Sequence, residues 1–517
     1  MFSEQFHKSV FFWALVLLAI SLPYSVFTLS VAQITLMVNW LLEGKFKQKY
    51  TLVRQHPSLW VLTGFYFVHL LWMLNTSDYS WGIHDLKIKL PMLVLPLVIA
   101  TSDPLNRRKL MGLLNLFVIA MIIASFISAY HIAGLKGNLV AAQEDFFPYV
   151  SHIRLSLMIV LSIFIMGWLL LNTQSIWKWL YLPLSIWLIV ALLFIQELTG
   201  ILIFIIVSAI LLIWGAYRSR NFLLKWFLVV GFSAIVLLTV SYITHAYAKF
   251  HKLDNVDISS LEKFTAQGNP YFHDLNSKFI ENGHYVNLYV CETELRKTWG
   301  SRSKLDYDYN TSKGGSIRAC LLRYLTSKGL RKDSAGIDNL TDLEIKYIET
   351  GVTNYIDTVK YSFYPKVYVA MWELYNYKNG ANPTGYSISQ RIEFIKTAFH
   401  IIKKNVWFGV GTGDIPDAYA EQYVLDKSPL AKDNRLRTHN QLITFIVTFG
   451  IIGFLLILSS LVLPPFLERK YSNYLFIAIL IIGFLSFLTE DTLETHQGVS
   501  FFAFFYSLFL FHKDDKA

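Results

Sequence analysis

Apolar residues occur along the chain in long blocks that are separated by polar segments. Blocks of nearly twenty residues are long enough to cross a bilayer as helices, and their continuity distinguishes them from amphipathic helices. The pattern predicts an all-α, polytopic membrane protein of about twelve transmembrane helices, or about eleven if one of the short terminal blocks does not span. The predicted spans are residues 10–25, 29–42, 58–75, 83–100, 109–133, 152–171, 177–195, 197–214, 223–243, 440–463, 473–489 and 497–512.

A long polar segment separates the ninth predicted span from the tenth. It carries 26 of the 46 lysines and arginines and 22 of the 36 acidic residues, and loops of this length usually contain structure of their own. Helical spacing of apolar residues predicts helices over Ser316–Gly329, Thr341–Val359 and Ser389–Lys404, the second after a Thr-x-x-Glu capping box. The predicted domains are an N-terminal transmembrane bundle (1–243), a mostly helical loop domain (244–438) and C-terminal transmembrane helices (439–517).

Composition and charge agree with a membrane protein. Hydrophobic residues make up 54% of the chain and charged residues 16%, against about 25% charged residues in soluble domains. The net charge of +10 would suit a nucleic-acid partner. However, the basic residues are divided between the long loop, where acidic residues nearly balance them, and clusters in the short connections, and they do not form one stripe. Orientation of membrane helices explains them better, so no nucleic-acid partner is expected.

The distribution of lysine and arginine predicts the orientation of the helices. Cytoplasmic loops carry the excess of these residues. Among the short connections, every second one, beginning with the second, holds most of the lysines and arginines, as in Arg107-Arg108-Lys109. Both termini are therefore predicted in the cytoplasm, and the loop domain on the outer face of the membrane.

Three residues from distant parts of the chain come to the outer face in this arrangement. Arg154 begins the sixth span, Arg391 lies in the loop, and His439 directly precedes the tenth span. An arginine beside an apolar helix is costly unless it is paired or binds an anion, and its planar group suits phosphate. A neutral histidine can take a proton from a hydroxyl group. The alternatives are a snorkelling Arg154, a solvated Arg391 and an interfacial His439.

Other residues are secondary candidates at this face. Arg435 and Arg437, just before His439, either complete an anion site or only line the interface. Lys89 is predicted on the same side of the membrane.

An acidic group follows the eleventh predicted span. Its members Glu490, Asp491 and Glu494 are expected to be solvated, although one of them, with Asp491 as the candidate, could orient a base or an acceptor.

A glycine series in the loop is a weak phosphate-binding motif. Gly409, Gly411 and Gly413 follow a predicted helix, whereas phosphate-binding loops follow a strand. A turn in which Asp414 accepts local hydrogen bonds is the preferred interpretation.

The cysteines and histidines do not have the spacing of a metal site. Cys291 and Cys320 have no neighbouring histidine or cysteine at ligand spacing, so no metal is expected. The two cysteines would be free thiols in the cytosol and could form a disulfide outside it.

One segment resembles the O-antigen ligase and polymerase superfamily, and the loop resembles the expanded loops of its Bacteroidetes-type members. The resemblance rests on Arg391 at the start of the loop helix, Trp407-Phe408-Gly409-Val410-Gly411-Thr412-Gly413, His439-Asn440, Gly450 and Gly453, and on Asn282–Tyr285 and Arg331–Asp333 in the expanded loop.

The resemblance implies a GT-C-like glycosyltransferase of the bacterial inner membrane whose active site faces the periplasm. Such enzymes transfer a glycan from undecaprenyl diphosphate to a hydroxyl group, without a cofactor or metal and with inversion at the anomeric carbon. It implies that His439 is the catalytic base and that Arg154 and Arg391 bind the diphosphate. Where many members carry Ser-Arg-Gly, this chain has Leu198-Thr199-Gly200, so the role of that arginine is not transferred.

The acceptor distinguishes the functions that this chemistry allows. We favour a ligase that uses lipid A core, and the alternatives are an O-antigen polymerase and a protein O-glycan ligase. In each case the partners are the lipid-linked donor, the acceptor and membrane lipid. A lipid or glycan transporter would instead show ionisable residues near the midplane and two related halves, a pattern that this sequence lacks.

Overall fold

The structure is a computed structural model that describes residues 3–134, 149–195, 197–218, 221–311, 315–359 and 363–512. Most of these residues lie in helices, which confirms the predicted helical class. Strand in the described part of the chain is limited to a short antiparallel pair, β1 (Ile280–Glu281) and β2 (His284–Tyr285).

The helices before the predicted loop follow the apolar blocks of the sequence. Side-chain caps set several of their starts: Ser3 accepts a hydrogen bond from the Phe6 N–H, and Ser25 accepts one from the Thr28 N–H. These helices are α1 (Glu4–Ser21), α2 (Val26–Glu43), α3 (Phe46–Gln55), α4 (Pro57–Leu71), α5 (Tyr79–Lys89), α6 (Pro91–Thr101), α7 (Arg107–Gly134), α8 (His152–Asn172), α9 (Tyr181–Ile195), α10 (Leu198–Arg218) and α11 (Phe222–Phe250).

The remaining helices lie in the predicted loop and after it. Short 3-10 helices at Trp72–Asn75, Ile176–Leu180, Ile258–Ser260, Tyr355–Thr358, Lys432–Asn434 and Thr492–Glu494 join some of the helices. The helices are α12 (Glu292–Arg302), α13 (Ile317–Ser327), α14 (Ser334–Asp338), α15 (Asp342–Glu349), α16 (Tyr364–Lys378), α17 (Ser387–Lys404), α18 (Ile415–Leu425), α19 (Gln441–Val462), α20 (Pro464–Leu467), α21 (Tyr474–Thr489) and α22 (His496–Phe511).

Eight helical segments of the described chain are long and apolar enough to cross a membrane. Two further apolar helices, α21 and α22, are shorter. The predicted span 83–100 is broken between α5 and α6, because Pro91 has no N–H with which to continue a helix and starts a new one. The count of about twelve spans stays a prediction. The eight segments are Val26–Glu43, Pro57–Asn75, Arg107–Ile132, His152–Asn172, Ile176–Ile195, Leu198–Tyr217, Phe222–Phe250 and Gln441–Leu467.

The described chain divides into two compact units. The first contains residues 3–132, 149–229 and 390–512, and the second contains residues 133–134 and 230–389. Residues 390–438, which include most of α17, therefore group with the first unit.

The core of the first unit is built around α22. This helix packs on α6 and α21, while α19 packs on α4. Its residues from Gln497 to Leu510 are all buried, and a helix that is buried on every side belongs at the centre of a bundle.

The second unit has a hydrophobic core around Trp299 and Tyr324. The predicted capping box is present, with Thr341 and Glu344 bonded to each other's backbone N–H. However, α15 ends at Glu349 instead of Val359, because the chain turns at Gly351, whose φ is +91°.

The two cysteines, which lie in this unit, are both buried and are not joined to each other. The disulfide that an outer location would allow is therefore not formed. Cys320 belongs to the core around Trp299, where it packs as a small apolar side chain.

Helix α19 is interrupted at Gly450, whose φ of +61° and ψ of −170° are not helical. The carbonyl groups of Val447 and Thr448 accept hydrogen bonds from the N–H groups of Val410 and Gly411, each at 2.9 Å. The segment that contains Gly409, Gly411 and Gly413, the glycine segment, thus supplies hydrogen-bond donors to the carbonyl groups that the interrupted helix leaves without partners.

The donors on the other side of the interruption are satisfied in the same way. The Ile451 N–H donates to the Val406 carbonyl at 2.9 Å, and the Ile452 N–H donates to the Trp407 carbonyl at 3.3 Å. A Cβ at Gly450 would lie 2.3 Å from the Trp407 carbonyl carbon, so this contact requires glycine.

The interpretation of Asp414 as a local turn acceptor was wrong. Its carboxylate accepts from the backbone N–H groups of Ser77 and Asp78, at 2.8–2.9 Å. Thr412 donates to the His69 carbonyl at 2.7 Å. The glycine segment is therefore held between α19 and the end of α4, which sequence spacing could not show.

Candidate active site

His439 has an unusual backbone conformation at the start of α19. Its φ of +48° lies in the left-handed region, which residues other than glycine seldom adopt. The next residue, Asn440, caps the helix by accepting from the Ile443 N–H at 3.0 Å and donates to the Leu488 carbonyl at 3.0 Å. The strained conformation is thus held by its neighbours, as is common at functional sites.

Glu490 connects His439 to Arg391. Its Oε1 accepts a hydrogen bond from Nη2 of Arg391 at 2.9 Å, and its Oε2 lies 3.5 Å from Nδ1 of His439. The second distance is that of an ion-pair contact and is longer than a hydrogen bond. Arg391 also donates from Nη1 to the Thr489 carbonyl at 3.1 Å. Two of the three main candidates are therefore close to one carboxylate.

Arg154 interacts electrostatically with the same Glu490 carboxylate. It lies in the first turn of α8 and is half-buried. Its guanidinium group has no hydrogen bond or ion pair within the described chain, and a helix N-terminus also favours an anion. Arg391 and His439 thus contact Glu490, and Arg154 is within reach of its charge. The two guanidinium charges exceed the one carboxylate charge, which leaves the site able to bind an anion.

The start of α8 is held against α10 by two further contacts. His152 Nε2 lies 3.3 Å from Oε2 of Glu197, the residue directly before α10. A Cβ at Gly200 would lie 2.4 Å from Oγ of Ser156. The glycine of Leu198-Thr199-Gly200 therefore permits the close approach of two helices near Arg154.

A buried group of charges lies beneath the site. Lys89 Nζ donates to Asp85 at 2.6 Å and to Glu494 at 2.7 Å, and Arg437 Nη1 donates to the same oxygen of Glu494 at 2.9 Å. Gln441 donates to the other Glu494 oxygen at 2.8 Å. Lys89 is fully buried, so its contribution to the site is through Glu494.

Two members of the acidic group are buried, so the expectation that the group is solvated was wrong. Asp491 is 8% exposed and Glu494 7%, and Thr444 donates to Asp491 at 2.8 Å. Burial and the charge of Glu494 raise the pKa of Asp491. Burial by itself would raise the pKa of Glu494 as well. The charges of Lys89 and Arg437 outweigh this effect and lower the pKa of that carboxyl.

A cavity of about 550 Å³ opens beside His439. One part of its wall is apolar and another carries three cations, while Arg154 and Arg391 do not line it. The lining residues are Trp81, Ile415, Pro416, Tyr419, Ala420, Val424, Lys432, Arg435, Leu436, Arg437 and His439.

Arg435 and Arg437 differ in their pairing. Arg437 is bonded to Glu494 and lies 3.9 Å from Asp491. Arg435 donates from Nε to the Leu430 carbonyl at 3.1 Å and lies over the Tyr423 ring. Arg437 thus helps to hold the interface, and Arg435 keeps its Nη donors available.

Sequence reasoning missed Glu490 and Glu494 as residues of the site. The only signal was their position directly after an apolar block on the predicted outer face. In the described chain, no group of three or more histidine, cysteine, aspartate and glutamate side chains has the arrangement of a metal site. The charged groups of the site instead contact one another.

Comparison with known proteins identifies one segment. Residues 355–458 match the family model of O-antigen ligase, and they contain Arg391, the glycine segment, His439 and Gly450. The match confirms the resemblance found in the sequence, and together with the apolar helices it indicates an integral membrane protein. No curated protein matches the chain.

Proposed function

We propose that this member of the O-antigen ligase superfamily, recognised by residues 355–458, transfers a glycan from undecaprenyl diphosphate to a hydroxyl group. The observation that carries the proposal is the contact of one carboxylate, Glu490, with both Arg391 and His439. Arg391, which can bind a phosphate, and His439, which can take a proton from a hydroxyl group, thereby face the two oxygens of the same carboxylate. This arrangement suits a displacement at a substrate carbon that lies between the arginine and the histidine.

His439 is the general base of the proposed reaction. With Nδ1 facing Glu490, the neutral ring carries its proton on Nδ1 and uses Nε2 to take the proton of the acceptor hydroxyl. The acceptor oxygen bonds to the anomeric carbon while the bond from that carbon to the diphosphate oxygen breaks. Glu490 then stabilises the imidazolium that has formed.

Arg391 and Arg154 bind the leaving group. Diphosphate departs as an anion, so no acid has to protonate it, in contrast to the hydrolysis of an ordinary glycoside. Arg391 uses two N–H groups on Glu490 and Thr489, and three remain for phosphate oxygens. Arg154, which has no hydrogen-bonded carboxylate within the described chain, adds a second guanidinium.

The proposed reaction belongs at the periplasmic face of the bacterial inner membrane. The charge distribution of the connections supports cytoplasmic termini, and the lengths of the apolar blocks support about twelve spans. Lipid A core is the acceptor that we favour. A polymerase or a protein O-glycan ligase would use the same donor residues with another acceptor, and the scheme requires no metal.

Substitution of the base tests the proposal. The His439→Ala variant should lower the turnover rate by about 10²- to 10⁴-fold, measured as glycan transfer from purified donor in detergent. Glu490→Gln should also lower turnover, because the imidazolium loses its counter-charge. His400→Ala is the matched control, since His400 pairs with Asp426 on the same unit and is exposed.

Full transfer by His439→Ala would exclude the general-base role. Arg154→Lys and Arg391→Lys should each raise the KM for the donor, because an ammonium group cannot make the bidentate contact. Movement of labelled donor across reconstituted vesicles without any transfer would instead favour a transporter.

A further inference from the structure

The cavity beside His439 contains positive charge that the proposed donor chemistry does not use. The ammonium group of Lys432 has no hydrogen bond or ion pair within the described chain. Arg435 is held by the Leu430 carbonyl and the Tyr423 ring, and its four Nη hydrogens have no partner among the described residues. Arg437 is different, because Glu494 neutralises it.

The rest of the cavity wall is aromatic and apolar, and this combination with cations suits a saccharide. Trp81 and Tyr419 are aromatic, and Ile415, Pro416 and Leu436 are apolar. A sugar ring has an apolar C–H face that packs on aromatic rings, while its polar substituents need donors and acceptors. The volume of about 550 Å³ falls within the range of small-molecule sites.

We propose, as an extension of the proposed function, that this cavity binds the acceptor saccharide and that Lys432 and Arg435 recognise an anionic group on it. The anion is a phosphate or a carboxylate carried by the acceptor, since both accept hydrogen bonds from guanidinium and ammonium groups.

The position of the base assigns the cavity to the acceptor and not to the diphosphate. In a displacement with inversion, the entering oxygen and the leaving group lie on opposite sides of the anomeric carbon. His439 must contact the entering hydroxyl, and it lines this cavity. Arg391 and Arg154, which are proposed to hold the leaving group, do not line it. Lys432 and Arg435 are therefore on the side of the entering acceptor.

The test compares two synthetic disaccharide glycosides, one carrying a phosphate monoester and one neutral, with the full-length protein in detergent. We expect the wild type to have at least a tenfold lower KM for the phosphorylated disaccharide. In Lys432→Gln/Arg435→Gln the two KM values should become equal within about twofold, and Arg435→Lys should keep part of the preference. Lys403→Gln, an exposed cation that does not line the cavity, should behave as wild type.

Three results would overturn the inference. The double variant could keep the preference, it could raise the KM for the donor instead of the acceptor, or the wild type could use both disaccharides with equal KM. Direct binding of the two disaccharides, measured by calorimetry, separates this inference from the proposed function. If the wild type transfers to neither disaccharide but binds the phosphorylated one at least tenfold more tightly through Lys432 and Arg435, the anion site stands and the transferase proposal fails.

Discussion

Three acidic residues within five positions show how strongly the surroundings of a side chain decide its role. Glu490 is partly exposed and contacts Arg391 and His439. Asp491 is buried with a raised pKa, whereas the buried Glu494 is neutralised by neighbouring cations and has a lowered pKa. Burial disfavours a charge unless an opposite charge is close. Three neighbouring carboxyl groups therefore differ in behaviour because their surroundings differ.

Lys332, in the second unit, permits a prediction about stability and pH. It is 4% exposed, and its Nζ donates to the Tyr285 carbonyl at 3.0 Å. Burial, with a smaller contribution from Arg331, lowers its pKa to about 7. Between this value and the ordinary lysine pKa, the unfolded chain binds a proton that the folded chain lacks. The free energy of unfolding of this unit should therefore rise from pH 7 to pH 9.

The Lys332→Met variant should remove this dependence and stabilise the unit at pH 7 by about 1–3 kcal/mol. Hydrogen exchange of backbone amides in residues 286–340, recorded at both pH values on the full-length protein, measures the effect. Lys304→Met is the control, because Lys304 is exposed in the same unit. Equal pH dependence in both variants would contradict the assignment.

At the scale of elements, the interruption of α19 organises the first unit. Four backbone hydrogen bonds join residues 406–411 to the two sides of Gly450. The segment that carries the loop helix α17 is thereby attached to the helix that His439 precedes. Within the described chain, this close backbone contact explains why glycines occur here without any role in phosphate binding.

Gly450→Ala should destabilise the protein by at least ~2 kcal/mol, because alanine is unfavourable at positive φ and its Cβ would meet the Trp407 backbone. Gly112→Ala is the matched control: it lies in α7 with no atom within 4 Å of the added Cβ, and should be neutral or stabilising by about 0.5–1 kcal/mol. Apparent melting temperatures in detergent distinguish the two. A Gly450→Ala protein as stable as Gly112→Ala would show that the interruption is dispensable.

At the scale of the whole molecule, orientation in the membrane remains the main prediction from charge. Cysteine labelling with a membrane-impermeant maleimide tests it, since the native Cys291 and Cys320 are buried. Lys263→Cys, exposed in the second unit, should label in intact spheroplasts, and Lys47→Cys, exposed between α2 and Pro57, should label only after lysis. The reverse pattern would place the second unit in the cytoplasm.

Much of the fold was predictable because long apolar blocks and caps are local signals. The ends of α8 and α21 agree with the predicted spans to within a residue, and the capping box at Thr341 is present. The predictions failed where distant residues decide the outcome, as at Asp414, which caps N–H groups more than 300 positions away, and at the buried Glu494.

The sequence by itself determined the helical membrane class and the resemblance that singled out His439, Arg154 and Arg391. These depend on residue type, on spacing along the chain and on a local motif. Only the tertiary structure decided that Glu490 contacts both His439 and Arg391, that Lys89 is fully buried against Glu494, and that Arg435 keeps free donors in a cavity. Each of these depends on which distant side chain lies within a few ångströms, because burial and Coulomb energy vary with distance in space and not along the chain.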